Sequence, residues 1–335
     1  MAPEHELSPR DGQELTLSVV ICAYTMDRWD EIGAAVRSVL DQRPPVEQVV
    51  LVIDHAPELL AAARSEFTDP RVLIGENVAA RGLSGARNSG IALATGDVVA
   101  FLDDDAEAEP GWAGRLLAWY ADPAVLGVGG ASLPVWASGR PRWFPEEFDW
   151  VVGCTYRGMP TQPAPVRNPI GSNMSFRREL FVLVGGFDSS VGRLGTKPVG
   201  CEETEFCIRV AKRFPDSRIV FEPAARVRHH VPASRHAWRY FRARCFAEGR
   251  SKAIVTELAG ASRGLASERS YATRTLPAGV ARAAREAIRQ RRAGALAPAA
   301  AIVAGLAITT AGYVTGRAAR IGRGARVPAE SQSIP

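Results

Sequence analysis

Thr95-Gly96-Asp97-Val98-Val99-Ala100-Phe101-Leu102-Asp103-Asp104-Asp105 carries a structural signal and a chemical one. The apolar run Val98 to Leu102 is too short for a helix and too apolar for an exposed strand, so it predicts a buried strand. Three carboxylates follow at its carboxyl end. Crowded carboxylates repel one another, and a hard divalent ion such as Mg or Mn relieves that repulsion while bridging to phosphate oxygens. The plainer alternative is a solvated acidic loop that caps the following helix, a role open to Asp105.

Upstream the same alternation repeats. Residues 15–23 form a β-branched run, and residues 29–40 place Ile32, Val36, Val39 and Leu40 on one helical face. Pro44 and Pro45 stop that helix before a second apolar run at 49–53. A helix over 58–67, a strand over 71–75, a helix over 83–93 and the strand over 98–102 complete the pattern. Strands alternating with helices predict a mostly parallel sheet covered on both faces, with a site at the carboxyl ends of the strands. Downstream of 125–129 the rhythm breaks, and the Pro-, Trp- and Gly-rich stretch 132–169 reads as an irregular insertion of the kind that carries functional surface. Helices are expected again at 177–183, 203–213 and 236–258, with a short strand at 218–221.

At 335 residues, 46% hydrophobic and 23% charged, the chain can bury a substantial core, which excludes wholesale disorder and a disulfide scaffold. Its five cysteines lack any CxxC pair and read as reduced thiols. The first twenty residues hold no apolar core of signal-peptide length, so the catalytic part is expected in the cytoplasm. The net charge is +5, yet residues 261–335 hold twelve arginines against three acids, leaving the remainder net negative. A negative catalytic part speaks against nucleic acid as a partner. Residues 293–316 carry no charge and are flanked by arginines on both sides, long enough to span a bilayer. They are mostly alanine, so a soluble helix packed on the main domain is the alternative, while the arginines favour anionic headgroups. The expected organisation is a polar leader (1–14), a catalytic domain (15–259) and a basic, apolar tail (260–335) with a membrane anchor at 293–316.

Further constellations carry chemistry. Gly200-Cys201-Glu202-Glu203-Thr204-Glu205 opens a predicted helix, where acids are also favoured by the macrodipole alone. Val227-Arg228-His229-His230-Val231 offers two imidazoles in a strand-like stretch, and alternation puts His229 on the face of Val227 and Val231. Arg235, Arg239, Arg242, Arg244 and Arg250, mixed with Trp238, Tyr240, Phe241 and Phe246, read as a helix with an aromatic core face, an interfacial helix or a phosphate clamp.

Four motifs in order, Leu17-Ser-Val-Val-Ile-Cys-Ala-Tyr-Thr25, Val52-Ile-Asp54, Gly82-Leu-Ser-Gly-Ala-Arg-Asn-Ser-Gly90 and Thr95 to Asp105, resemble family 2 glycosyltransferases of the GT-A fold, over about residues 15–252. The resemblance implies that Ala23, Tyr24 and Asp54 line the base pocket of a nucleotide diphosphate sugar. It also implies that Arg87 lies near the nucleotide, that Asp103 or Asp104 holds the ribose, and that Asp105, with Asp103 and His229, binds Mg or Mn. The acid pair after Asn173 to Arg178 and Gly185-Gly-Phe-Asp188 implies Glu203 as general base of an inverting displacement, with Glu202 as the other candidate. Many members carry two acids after the second strand; here the pair is Asp54-His55. The insertion, with Trp143 to Trp150 and Gly153 to Arg157, is similar to a subgroup that adds a glucuronosyl unit to glucosyl polyprenyl phosphate. Arg142 or Arg157 would then meet a donor carboxylate or a lipid phosphate. The implied activity is metal-dependent sugar transfer to a lipid-linked or glycolipid acceptor at the cytoplasmic membrane face. A nucleotidyltransferase and a non-catalytic membrane scaffold of the same fold are the rival readings. The former normally has a glycine-rich basic loop after the first strand, where this chain has Ala23-Tyr24-Thr25.

Overall fold

The computed structural model describes residues 14–189, 200–259 and 266–324. The polar leader short of Glu14, the boundary expected at residue 260 and the last residues of the tail lie outside them. The contacts divide the chain into two compact units, one built from residues up to His236 and one from Ala237 onward together with Arg142–Pro145.

The first unit contains nine strands among the described residues: β1 (Leu17–Ala23), β2 (Gln48–Ile53), β3 (Val72–Glu76), β4 (Val98–Asp103), β5 (Ala106–Ala108), β6 (Val125–Trp136), β7 (Ala164–Val166), β8 (Asn173–Arg177) and β9 (Arg218–Val231). They form one sheet in the order β3-β2-β1-β4-β8-β6-β9-β5, with β7 added on β9. β1 to β4 are parallel, as the alternation predicts, and β6 is parallel to β9. β8 runs antiparallel between β4 and β6, and β5 and β7 pair antiparallel with β9, so the sheet is mixed.

Six helices of this unit, α1 (Trp29–Leu40), α2 (Pro57–Glu66), α3 (Leu83–Leu93), α4 (Trp112–Ala118), α5 (Glu179–Leu183) and α6 (Glu202–Arg213), cover both faces. Alternate residues of each strand feed opposite cores. Val19 and Ile21 join Ile32, Val36, Leu59 and Trp112 on one side. Val20 joins Ala86, Phe101, Phe176, Phe181 and Phe206 on the other.

Five strands depart from the sequence expectation: β5 and β7 fall where no strand was expected, and β8, β6 and β9 differ in kind or length. β8 lies where only a helix from Arg177 was expected, because Asn173 and Ser175 look polar. Both are fully buried: the Asn173 amide donates to the Ala131 and Ala225 carbonyls and its oxygen accepts from the Trp112 indole. β6 continues to Trp136, past the point at which glycines suggest a loop. Those glycines serve close packing: a Cβ on Gly130 would lie 1.9 Å from the Ala225 carbonyl oxygen. β9 is a single strand of 14 residues rather than a short one, because its pairing with β6 resumes at Arg226 beyond an irregularity after Glu222.

The second unit holds α7 (Trp238–Ala259), α8 (Ala266–Ser270), α9 (Leu276–Gln290) and α10 (Ala297–Gly324). Trp143 and Phe144, from the insertion, pack against Phe241 with ring centroids 5.4 Å apart. The helix expected at 236–258 is observed as α7, and the uncharged run lies mainly in α10. Gly294–Ala319 is one helix long and apolar enough to cross a membrane. α7 and α10 touch backbone to backbone: a Cβ on Gly312 would lie 2.1 Å from the Phe246 carbonyl oxygen, and one on Gly249 2.0 Å from that of Thr309.

Candidate active site

The carboxyl ends of β1, β2 and β4 lie side by side, with Ile21 paired to Leu102 and Cys22 to Asp103. The chain leaves β4 through Asp104 and Asp105 and returns as β5, whose Ala106 pairs with His229 on β9. This antiparallel pairing delivers a histidine from late in the chain to the acidic turn. His229 Nε2 lies 3.2 Å from Asp105 Oδ1 and 3.8 Å from Asp103 Oδ2. Asp103, Asp105 and His229 each offer one ligand atom, and those atoms lie within 4.8 Å of one another. Two carboxylate oxygens and an imidazole nitrogen make a hard donor set that suits Mg or Mn.

His229 is 2% exposed while His230 is half-buried, as alternation along β9 predicts. Its Nδ1 is buried without a hydrogen-bond partner. Burial alone would strip the ring of its proton, but the Asp105 carboxylate, with further help from Asp103, holds the proton and raises the His229 pKa well above its ordinary value. Burial likewise opposes the charge on Asp105. The neighbouring His229, Arg235 and Arg28 win and hold its carboxyl well below the usual range. Asp103 is lowered against burial by the His229 hydrogen bond and the Arg87 charge. Burial pushes Asp104 the other way, to about 7, with Arg28 opposing.

Two arginines complete the acidic turn. Arg28, in the short turn after β1, donates to Asp104 at 2.6 Å, lies 3.1 Å from Asp105 and sits 5.5 Å from the centre of the Tyr24 ring. Arg235, expected within a basic helix, instead sits in a 3-10 turn before α7 and reaches Asp105 at 3.4 Å. The readable signal for Arg28 was only its place just beyond a strand's carboxyl end. For Arg235 it was the adjacency to His229, which counts only once β9 is seen as one strand.

Arg87 projects from α3 and is 2% exposed. It donates to Glu202 at 2.9 Å and to the Gly171 carbonyl at 2.8 Å, and lies 3.6 Å from Asp103. Both Glu202 oxygens are engaged, since Oε2 accepts from the Cys201 amide at 3.1 Å. Glu203, one position further along α6, is half-buried, and Thr204 Oγ1 donates to it at 3.4 Å. The structure therefore joins Asp103, Arg87 and Glu202 into one chain of contacts and sets Glu203 beside its end.

Asp54 is 7% exposed and accepts from Asn77 Nδ2 at 2.6 Å and from the Gly82 amide at 3.0 Å. Gly82 takes φ 127°, a conformation that favours glycine and lets its N–H reach the carboxylate. His55, in a left-handed turn at φ 51°, sets Nδ1 2.8 Å from Asp54 Oδ1. Ala23 accepts from the Asp54 amide and is buried, whereas Tyr24 is half-exposed. In the insertion, Arg157 is half-exposed and ion-paired with Glu146.

A mixed α/β sheet carries a carboxylate–imidazole set able to hold a divalent cation at the parallel strands' carboxyl edge. The model of "Glycosyl transferase family 2" matches residues 18–183. The chain is 39% identical over 243 residues to the glucosyl-dolichyl phosphate glucuronosyltransferase of Haloferax volcanii, covering 72% of this chain and 77% of that one. The chain thus belongs to glycosyltransferase family 2. In fold it is similar to the mannosyltransferase PcManGT of Pyrobaculum calidifontis, solved with GDP-Man and Mn2+ (TM-score 0.59, 17% identity, 91% of this chain and 89% of that one). It is also similar to GalNAc-T7, solved with UDP, GalNAc and Mn2+ (TM-score 0.51, 17% identity, 78% of this chain and 54% of that one).

Proposed function

We propose that the chain transfers a glycosyl unit, of the glucuronosyl type, from a nucleotide diphosphate sugar to a polyprenyl-phosphate-linked sugar, with inversion at the anomeric carbon. The observation that carries the reading is the Asp103, Asp105 and His229 donor set beside the buried Arg87–Glu202 pair. The acceptor and sugar class come from the Haloferax relative, whose printed name joins a glucuronosyl donor to a glucosyl lipid phosphate.

Asp105, Asp103 and His229 would hold a divalent cation, which would neutralise charge on the diphosphate leaving group. Arg87 stands beside Asp103, where a nucleotide's charge falls. Ala23, Tyr24 and Asp54 form the base pocket: Asp54 fixes the loop through Asn77 and Gly82, and exposed Tyr24 offers its ring face. Asp103 or Asp104 takes the ribose hydroxyls. Glu203 removes the acceptor hydroxyl proton, because both oxygens of Glu202 are already engaged by Arg87 and the Cys201 amide. The tail attaches the protein to the cytoplasmic face of the plasma membrane, supported by the lipid acceptor of that relative and by the apolar helix 294–319.

The test uses the purified full chain with glucosyl polyprenyl phosphate, a panel of nucleotide diphosphate sugars, and Mn2+ or EDTA. Glucuronosyl transfer that disappears with EDTA is expected, with the opposite anomeric configuration in the product. Transfer of another sugar in preference, or equal turnover in EDTA, overturns the donor or the metal assignment respectively.

A further inference from the structure

We propose that α10 lies in the plane of an anionic lipid surface, its Val303, Leu306 and Val314 stripe facing the acyl chains, and does not cross the bilayer. This rests on the membrane attachment proposed above but not on the sugar or the acceptor.

The exposed side of α10 is apolar. Val303, Leu306 and Val314 are 60%, 40% and 59% exposed, and Ala307, Thr310 and Ala311 are exposed between them, a spacing that lines one helical face. The other side is taken: Gly305, Gly312 and Gly316 are buried, and α7 closes on Gly312 and Gly316. The unpartnered face therefore belongs to a helix already fixed to a neighbour.

The neighbour sets the depth. Gly312 meets Phe246, Gly249 meets Thr309 and Tyr313, and Gly316 meets Arg250 and Ala253, so residue numbers rise together and the helices run parallel. Carried back two turns and then nearly three from Gly249 and Gly312, this register sets the exposed Arg242 and Arg239 beside the middle and early part of the apolar run. Further along, Lys252 pairs with Glu248 at 3.0 Å and with Glu268 at 2.9 Å. Were α10 to span, those arginines would stand at hydrocarbon depth, where charge is expelled unless it faces a protein interior or water. With α10 in the plane, the stripe enters the acyl boundary while the arginines stay among headgroups.

Charge fits a negative surface. α9 ends at Arg291 in a left-handed turn (φ 50°), and Arg289, Arg291 and Arg292 are exposed beside Ile288 and Leu296, themselves 78% and 45% exposed. Arg317 is exposed at the far end, and the sequence holds no acid from Gln290 to Gly324. Apolar side chains framed by arginines match acyl chains under anionic headgroups.

The experiment adds full-length protein to preformed vesicles of phosphatidylcholine alone or doped with phosphatidylglycerol. The readouts are flotation, resistance to high salt and carbonate, and light scattering without lipid. Expected is flotation on the doped vesicles only, extraction by carbonate, and a fall of about tenfold or more in flotation for the Val303→Asp/Leu306→Asp/Val314→Asp variant with its melting temperature and donor hydrolysis unchanged. Ile288→Asp, at a separate exposed position, should weaken flotation in the same direction. Binding that resists carbonate overturns the in-plane placement but leaves membrane attachment standing. No flotation on either vesicle overturns both. A lipid-free dimer that the aspartates dissociate assigns the stripe to a second copy and overturns the proposal.

Discussion

Asp104, Asp105, Glu202, Arg87 and His229 are each under a tenth exposed, while Val303, Leu306 and Val314 are 40% to 60% exposed. Each unit thus inverts the usual partition, which keeps charge outside and large apolar side chains inside. In the first unit the inversion is held by neighbours, since every buried charge named there lies within 4 Å of an opposite one. In the second, nothing among the described residues covers the stripe. On the readings proposed above, the difference separates a site for a charged small ligand from a surface for a solvent other than water. Magnitudes support that reading of α10: large aliphatic residues gain about 0.3–0.6 kcal/mol each at a membrane helix centre, while each arginine costs about 2.5–3.5 kcal/mol there. The pair Arg239 and Arg242 therefore outweighs the few large side chains of an alanine-rich helix.

The strongest way to break the contrast is to remove charge from the first unit. Asp105→Asn keeps the shape but loses a ligand's charge, and turnover should fall about a thousandfold or more with Mn2+-dependent nucleotide binding gone. Calorimetric titration of nucleotide diphosphate with and without Mn2+ checks this, and near wild-type binding sinks the ligand assignment.

The adjacent acids sharpen it. Glu202→Gln leaves the buried Arg87 with only the more distant Asp103 as an opposite charge, so stability should drop by about 3–5 kcal/mol. Glu203→Gln should leave the melting temperature near wild type while kcat falls roughly a hundredfold. Denaturation curves and initial rates on both variants separate the roles; a crippled but fully stable Glu202→Gln would exchange them.

Protons compete with the metal at His229. The ring must lose its proton to coordinate, and its pKa is raised above the ordinary value, so Mn2+ affinity should be weak in acid and climb as pH rises through that raised value. In His229→Asn the slope should flatten, as followed by Mn2+ titration across pH. An equal slope in the variant would place the titrating group elsewhere.

The smallest expected effect lies in the second unit. Gly312→Ala forces a methyl toward the Phe246 carbonyl, and overpacking of this kind costs about 1–3 kcal/mol. Chemical denaturation should register it with the donor site intact. An unchanged midpoint would show that α7 and α10 do not touch there.

The first half of the fold was legible because β1 to β4 and α1 to α3 are local: each strand is a continuous apolar run and each helix carries its own stripe. The acidic turn was legible for the same reason, since Asp103, Asp104 and Asp105 are adjacent in sequence. Legibility fails where side chains satisfy one another across the chain. Asn173 reads as a surface residue until three partners from distant segments surround it. Arg28 gains its place through the pairing of β1 with β4, and Arg235 only because β5 folds back on β9. Glu202 reads like its neighbour Glu203 until Arg87 arrives from α3. α7 and α10 were each legible as helices, but not the glycine seam between them, since glycine in a helix reads as a weakness rather than a contact.

The pairing of Ala106 with His229 also has a consequence in time. The carboxylates of the acidic turn leave the ribosome long before their imidazole does, and all of β6 to β9 must be made and paired before that ring can arrive. A nascent chain that stops anywhere short of residue 229 therefore carries the acids without the full donor set. The donor set proposed for the cation is therefore incomplete until this unit is essentially made.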